Sequence, residues 1–83
     1  MSFIISIPAT PVARALLGAE HRTYLANTPM RANLEETLQV NTARRYKTDA
    51  AAAAAITRGL GYWADDIARA AVLRDAQIIE VTE

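Results

Sequence analysis

The sequence predicts an α+β fold: a small antiparallel sheet of three to four strands, with one main and one shorter helix packed on one face. Three observations carry that prediction. Runs rich in β-branched residues stand near both ends, Ser2-Phe3-Ile4-Ile5-Ser6-Ile7 and Ala76-Gln77-Ile78-Ile79-Glu80-Val81. Between them Thr48-Asp49 opens six consecutive alanines, a helix start followed by the residue of highest helix propensity. The chain has 83 residues, room for one domain spanning 1–83 and one core.

The first run ends at Pro8, which cannot donate to a strand ladder, so residues 2–7 read as a strand. Both of its faces are fairly apolar, which suits a central or covered position. Thr10-Pro11 then has the order of a helix cap and a first helical residue, and Gly18 stands just past a short helix over 12–17. Tyr24 and Leu25 fit a second strand before the turn-forming Asn27-Thr28-Pro29.

Residues 30–40 are ambiguous. Leu34 and Leu38 have helical spacing, yet Thr37-Leu38-Gln39-Val40 alternates towards Asn41, and a strand paired with the first two is expected. A helix over 49–60 follows, capped by Thr48, with Ala52, Ala53, Ile56 and Leu60 as its apolar stripe and Gly59 and Gly61 as its stop. Residues 63–73 read as a second helix with Asp65 and Asp66 at its beginning, Arg69 and Arg74 towards its end, and Ile67, Ala70 and Ala71 on its buried side. The last run, 76–81, reads as a strand that ties the C-terminal segment into the sheet.

Composition narrows the function. At 52% hydrophobic residues with three glycines and three prolines, the chain is too apolar and too poor in turns for a disordered segment. Much of that fraction is alanine, so the core is modest. There is no cysteine, hence no disulfide or thiolate metal site, and a reducing cytoplasm is the expected setting. Residues 1–7 are apolar over too short a run, and lack the basic leader, for a signal peptide. No run approaches the length of a membrane span.

Nine basic and nine acidic residues cancel, so no long-range field draws in nucleic acid and any such contact must be local. Eight of the nine cations are arginine, the side chain suited to planar, bidentate contact with carboxylate or phosphate. Their one dense cluster is Arg44-Arg45-Tyr46-Lys47. In extended backbone Arg44 and Tyr46 face one way, Arg45 and Lys47 the other. An aromatic among cations can stack on a base or on a partner surface; it can equally be a core residue under the alanine helix.

Other constellations point away from catalysis. His21, the only histidine, has no second imidazole or thiol to complete a metal site. A serine triad would need it to meet Ser2 or Ser6 of the first strand and an acid. The pairs Glu35-Glu36 and Asp65-Asp66 are adjacent in sequence and diverge, as expected of a solvated face and a helix cap. Gly59-Leu60-Gly61 follows a helix and lacks the third glycine of a dinucleotide-binding loop. No cofactor, metal or enzymatic activity is expected.

The series Tyr24-Leu25, then Ala43-Arg44-Arg45-Tyr46-Lys47-Thr48, an alanine-rich helix and a final Ile78-Ile79-Glu80-Val81 strand resembles a class of very small proteins carried by bacteriophages and prophages. Structurally studied members of that class are similar to anti-CRISPR proteins. The resemblance implies a stoichiometric inhibitor in the bacterial host cytoplasm that binds a nucleoprotein effector complex and blocks its access to target nucleic acid. Many such inhibitors imitate DNA with an acidic surface. A net charge of zero speaks against that mode here and for a mixed surface with arginine anchors. The candidate partner-binding residues are Arg44, Arg45 and Lys47, with Arg22 or Arg31 nearby. Direct nucleic-acid binding through the same cations is an alternative; so is a structural or self-assembling protein, with the terminal strands or the Trp63 region as a homodimer seam.

Overall fold

A computed structural model describes residues 1–18, 21–27 and 35–82. In chain order the elements are β1 (Ser2–Pro8), α1 (Pro11–Leu17), β2 (Arg22–Leu25), β3 (Glu36–Thr37), a single 3₁₀ turn (Val40–Thr42), α2 (Asp49–Tyr62), α3 (Ile67–Arg74) and β4 (Gln77–Val81). The strands form one four-stranded sheet in the order β3-β2-β1-β4, every neighbouring pair antiparallel. This is the predicted α+β class, and the described residues form three α-helices, the short one after Thr10 among them.

β1 is central, as expected, although its second face carries Ser2 and Ser6 beside Ile4. Against β2 it pairs Ser6 with Tyr24 and Ile7 with Thr23; against β4 it pairs Phe3 with Glu80, Ile4 with Ile79 and Ile5 with Ile78. Alternation therefore places Phe3, Ile5, Ile7, Thr23, Leu25 and Ile78 on one face, and Ser2, Ile4, Ser6, Tyr24 and Ile79 on the other. α2 and α3 pack on the first face. Ile5, Ile7 and Leu25 form a single buried cluster there with Ala52, Ala55 and Leu73, and Phe3, Tyr46, Ile56, Leu60, Trp63 and Val72 pack around it.

The helix starts are those the sequence marks. Thr10 Oγ1 accepts from Ala13 N at 3.2 Å, Pro11 is the first residue of α1, and Gly18 leaves the helix with φ 69°, a left-handed conformation that glycine adopts without a Cβ clash. Thr48 Oγ1 accepts from Ala51 N at 3.0 Å, and Asp49 sits in the first turn of α2. Asp66 Oδ1 accepts from Arg69 N at 3.0 Å and opens α3.

Five expectations are corrected. α2 runs through both glycines to Tyr62, and Gly59 is one of its buried positions, an interior helix residue instead of a stop. Its buried positions are Ala52, Ala55 and Gly59, while Ala53 is exposed, so the true stripe is rotated from the expected one. α3 starts at Ile67, not Trp63. Its buried residues are Ala70 and Leu73; Ile67 is 86% exposed and Ala71 is exposed too, because the turn through Trp63 resets the helical phase. Of the strand expected over 37–40, only Glu36–Thr37 pairs with β2; the chain then turns, with Thr37 and Thr42 hydroxyls 2.5 Å apart and Val40–Thr42 in a 3₁₀ turn. Leu34 lies outside the described residues.

Candidate partner interface

The cationic segment begins where β2 stops. The last β2 residue facing β1 in the ladder is Tyr24, opposite Ser6, which leaves that side of Phe3 without a strand neighbour. Residues 43–46 occupy the vacant lane. Arg44 N donates to Leu25 O at 2.9 Å, Tyr46 N donates to Phe3 O at 2.8 Å, and Phe3 N donates to Tyr46 O at 2.9 Å, a closed antiparallel bridge. Ala43, at the start of the segment, is buried. The segment is thus fixed in extended form by backbone bonds to two strands, and its side chains alternate between the faces of the sheet.

Tyr46 goes to the helical face and packs against the core. Its hydroxyl is buried and makes no hydrogen bond of ordinary geometry among the described residues. Burial pushes the phenol above the ordinary tyrosine value of 10.0, and the neighbouring Arg44 charge offsets part of that rise. Arg44 is exposed, with its guanidinium carbon 5.9 Å from the Tyr46 ring centre, within cation–π range. Arg45 turns to the opposite face and donates from Nη1 to Ser2 Oγ at 3.0 Å. Lys47 is exposed. Directly after it Thr48 starts α2, whose positive dipole end adds to the local cationic field.

The five sequence-nominated cations therefore fall into different settings. Arg44 and Lys47 are exposed and Arg45 is half-buried on the same ledge. Arg22 is half-buried at the far end of the second sheet face, where Nε donates to Ser6 Oγ at 2.9 Å while Nη2 donates to Ser6 O at 2.9 Å and Asp75 O at 2.8 Å. It joins the sheet to the α3–β4 connection. Arg31 lies outside the described residues. His21 is exposed, and its main-chain oxygen accepts from Ala9 N at 3.0 Å.

Glu36 departs from the expected solvated face. On the helical side of β3, its carboxylate accepts from Thr23 Oγ1 at 2.5 Å, from Thr10 N at 3.3 Å and from Thr10 Oγ1. Thr23 is fully buried, so Glu36 supplies the acceptor that its hydroxyl needs. The buried hydroxyls of Ser2, Ser6 and Thr23 are thus each met by a long charged side chain, Arg45, Arg22 and Glu36 respectively. Nothing in the local sequence announces these partnerships, since each joins residues at least 13 apart. The period-2 reading of β3 gives the one clue, as it puts Glu36 and Leu25 on a common face.

A second surface feature is a pocket of about 410 Å³ where α1 meets α3, bordered by Pro11, Val12, Ala68 and Val72, with Glu36 and Arg69 also in its walls. Arg69 is held there by a 2.6 Å ion pair with Asp66 and lies 4.6 Å over the Trp63 ring. Backbone and side-chain hydrogen bonds from Arg69 hold the Asp66 carboxyl below its ordinary value. Among the described residues no group of three or more His, Asp or Glu side chains is placed to hold a metal ion, and no helix is long and apolar enough to cross a membrane. Comparison with protein-family models, curated proteins and solved structures finds no match to this chain.

Proposed function

We propose that this protein is a binding module with no reaction of its own, a stoichiometric inhibitor of the anti-CRISPR type that seats on a host nucleoprotein complex and blocks its access to target nucleic acid. The observation that supports this reading is the ledge at residues 44–47. Cations on long, free loops lose much side-chain and backbone entropy on binding; here the backbone is already bonded to Phe3 and Leu25, so only the side-chain ends remain to be ordered. Arg44 is further steadied by the Tyr46 ring. Such a ledge suits an acidic or phosphate-bearing surface, with arginine as the anchor and the exposed Lys47 as a further point charge.

The test adds purified protein to target-cleavage reactions of a panel of CRISPR effector complexes and follows co-elution by size exclusion. Equimolar inhibition and a retained complex are expected. Arg44→Ala with Lys47→Ala should weaken capture about tenfold or more, without loss of fold. Failure to bind or inhibit any effector removes the inhibitor reading, and undiminished capture by the double variant removes the ledge. The same cations beside the positive end of α2 favour one second reading, direct nucleic-acid binding. That reading requires a gel shift of short DNA or RNA at low salt, with affinity falling by about 0.9 log units per log unit of salt for each phosphate neutralised on duplex DNA.

A further inference from the structure

We propose that two copies of the chain pair through β4, antiparallel and across a two-fold axis, joining their four-stranded sheets into one continuous sheet. β4 is an edge of the sheet, with β1 on its inner side. Among the described residues no backbone bond reaches its outer side. Natural edge strands discourage pairing with proline, bulges or charged side chains, lysine above all. Gln77-Ile78-Ile79-Glu80-Val81 has no proline, lysine or bulge: its pairing with β1 is continuous over all five residues, and Glu80, on the helical face opposite Phe3, is the single charge that a second copy must accommodate. Ile78 is 36% exposed on the helical face and Ile79 is 37% exposed on the other, so each side of the edge presents an apolar group to a neighbour.

The occupant that fits is β4 itself. Only the register that sets Ile79 opposite Ile79 of the second copy pairs all five residues, Gln77 with Val81 and Ile78 with Glu80. A register centred on Glu80 would oppose two carboxylates and lose pairs. In the favoured register Ile79 meets its copy at the axis, and Glu80 lies beside an isoleucine instead of a like charge. A net charge of zero imposes no long-range repulsion between copies. α2, which packs over β1 and β4, exposes Ala50, Ala51, Ala53 and Ala54, so its first turns carry little bulk to hold a second α2 away on the shared face. This seam is separate from the cationic ledge and does not depend on the inhibitor reading.

Cysteine trapping tests it directly, because the chain has no cysteine of its own. Ile79→Cys should oxidise rapidly to a disulfide-linked dimer, since opposed residues in an antiparallel pair have Cα atoms about 4.5 to 5.5 Å apart, within disulfide range. Ile78→Cys, whose opposite residue is Glu80, should cross-link far more slowly. The wild-type chain should sediment as a concentration-dependent dimer, with β4 amides gaining hydrogen-exchange protection as concentration rises. Equal cross-linking of the two cysteine variants, a wild-type monomer at all concentrations, or a dimer whose β4 amides exchange independently of concentration would each overturn the proposal.

Discussion

Replacing Glu36 with alanine should cost far more than its partly exposed position suggests. The carboxylate is the acceptor for the fully buried Thr23 hydroxyl and for both the amide and the hydroxyl of Thr10. Leaving a buried hydroxyl without an acceptor costs about 1–3 kcal/mol, and the Thr10 bonds, which water can partly replace, add about 1 kcal/mol. The expected loss is about 2–4 kcal/mol out of the roughly 4–12 kcal/mol typical of a chain this size. In thermal terms that is roughly 10–30 °C. Glu36→Gln keeps one carbonyl acceptor and should fall between. Thr23→Val removes the donor and should be mild alone; combined with Glu36→Ala it should recover about 1 kcal/mol relative to additivity. Urea denaturation followed by circular dichroism and by the fluorescence of Trp63, the only tryptophan, provides the assay. A Glu36→Ala midpoint within about 0.5 kcal/mol of wild type, or a strictly additive cycle, would refute the assignment of Glu36 as the acceptor for Thr23.

Two further outcomes follow from the helices. Ala52→Leu pushes three further carbons into a site with no exposed surface against Ile5, Ile7 and Leu73 and should destabilise by about 1–3 kcal/mol, whereas Ala53→Leu on the exposed side should stay within about 0.5 kcal/mol; denaturation midpoints separate the two, and equal effects would contradict the observed rotation of α2. Asp66→Asn retains a cap oxygen and removes the charge that meets Arg69. Because the folded carboxyl lies below its ordinary value of 3.8, its ionised form adds stability above the unfolded value, and that addition is lost as pH falls through the folded one. The stability difference between wild type and Asp66→Asn should therefore be present at neutral pH and close in that acid window; a gap of constant size down to the lowest pH would show that ionisation of Asp66 is not its source.

The parts of the fold legible in the sequence are those decided by neighbours along the chain. Thr10-Pro11 with Gly18, Thr48-Asp49 and Asp66 each place a helix boundary through bonds spanning only a few residues, and β1 announces its central position through its own composition. What the sequence does not reveal comes from distant partners. Gly59 reads locally as a stop, but tertiary packing makes it an interior helix residue; Ile67 reads as core until the turn at Trp63 rotates α3. For the candidate interface, the split of Arg44 and Tyr46 from Arg45 follows from strand alternation alone. That Arg22 serves Ser6 and Asp75 depends on β2 lying beside β1, which no local pattern specifies.

The closing of the sheet sets an order for folding. β1 is made before the strands beside it, yet one of its flanks is occupied by β2 and residue 46 and the other by β4, at the opposite end of the described chain. Ile4 and Ile5, buried in the finished molecule, must wait for Ile79 and Ile78 before their strand is closed on that side. The helices can form locally on a nascent chain, but the strand they are to cover remains sticky along one border until synthesis has delivered residue 81. Truncation within the last few residues would accordingly leave a product prone to clump instead of a smaller working version of the same protein.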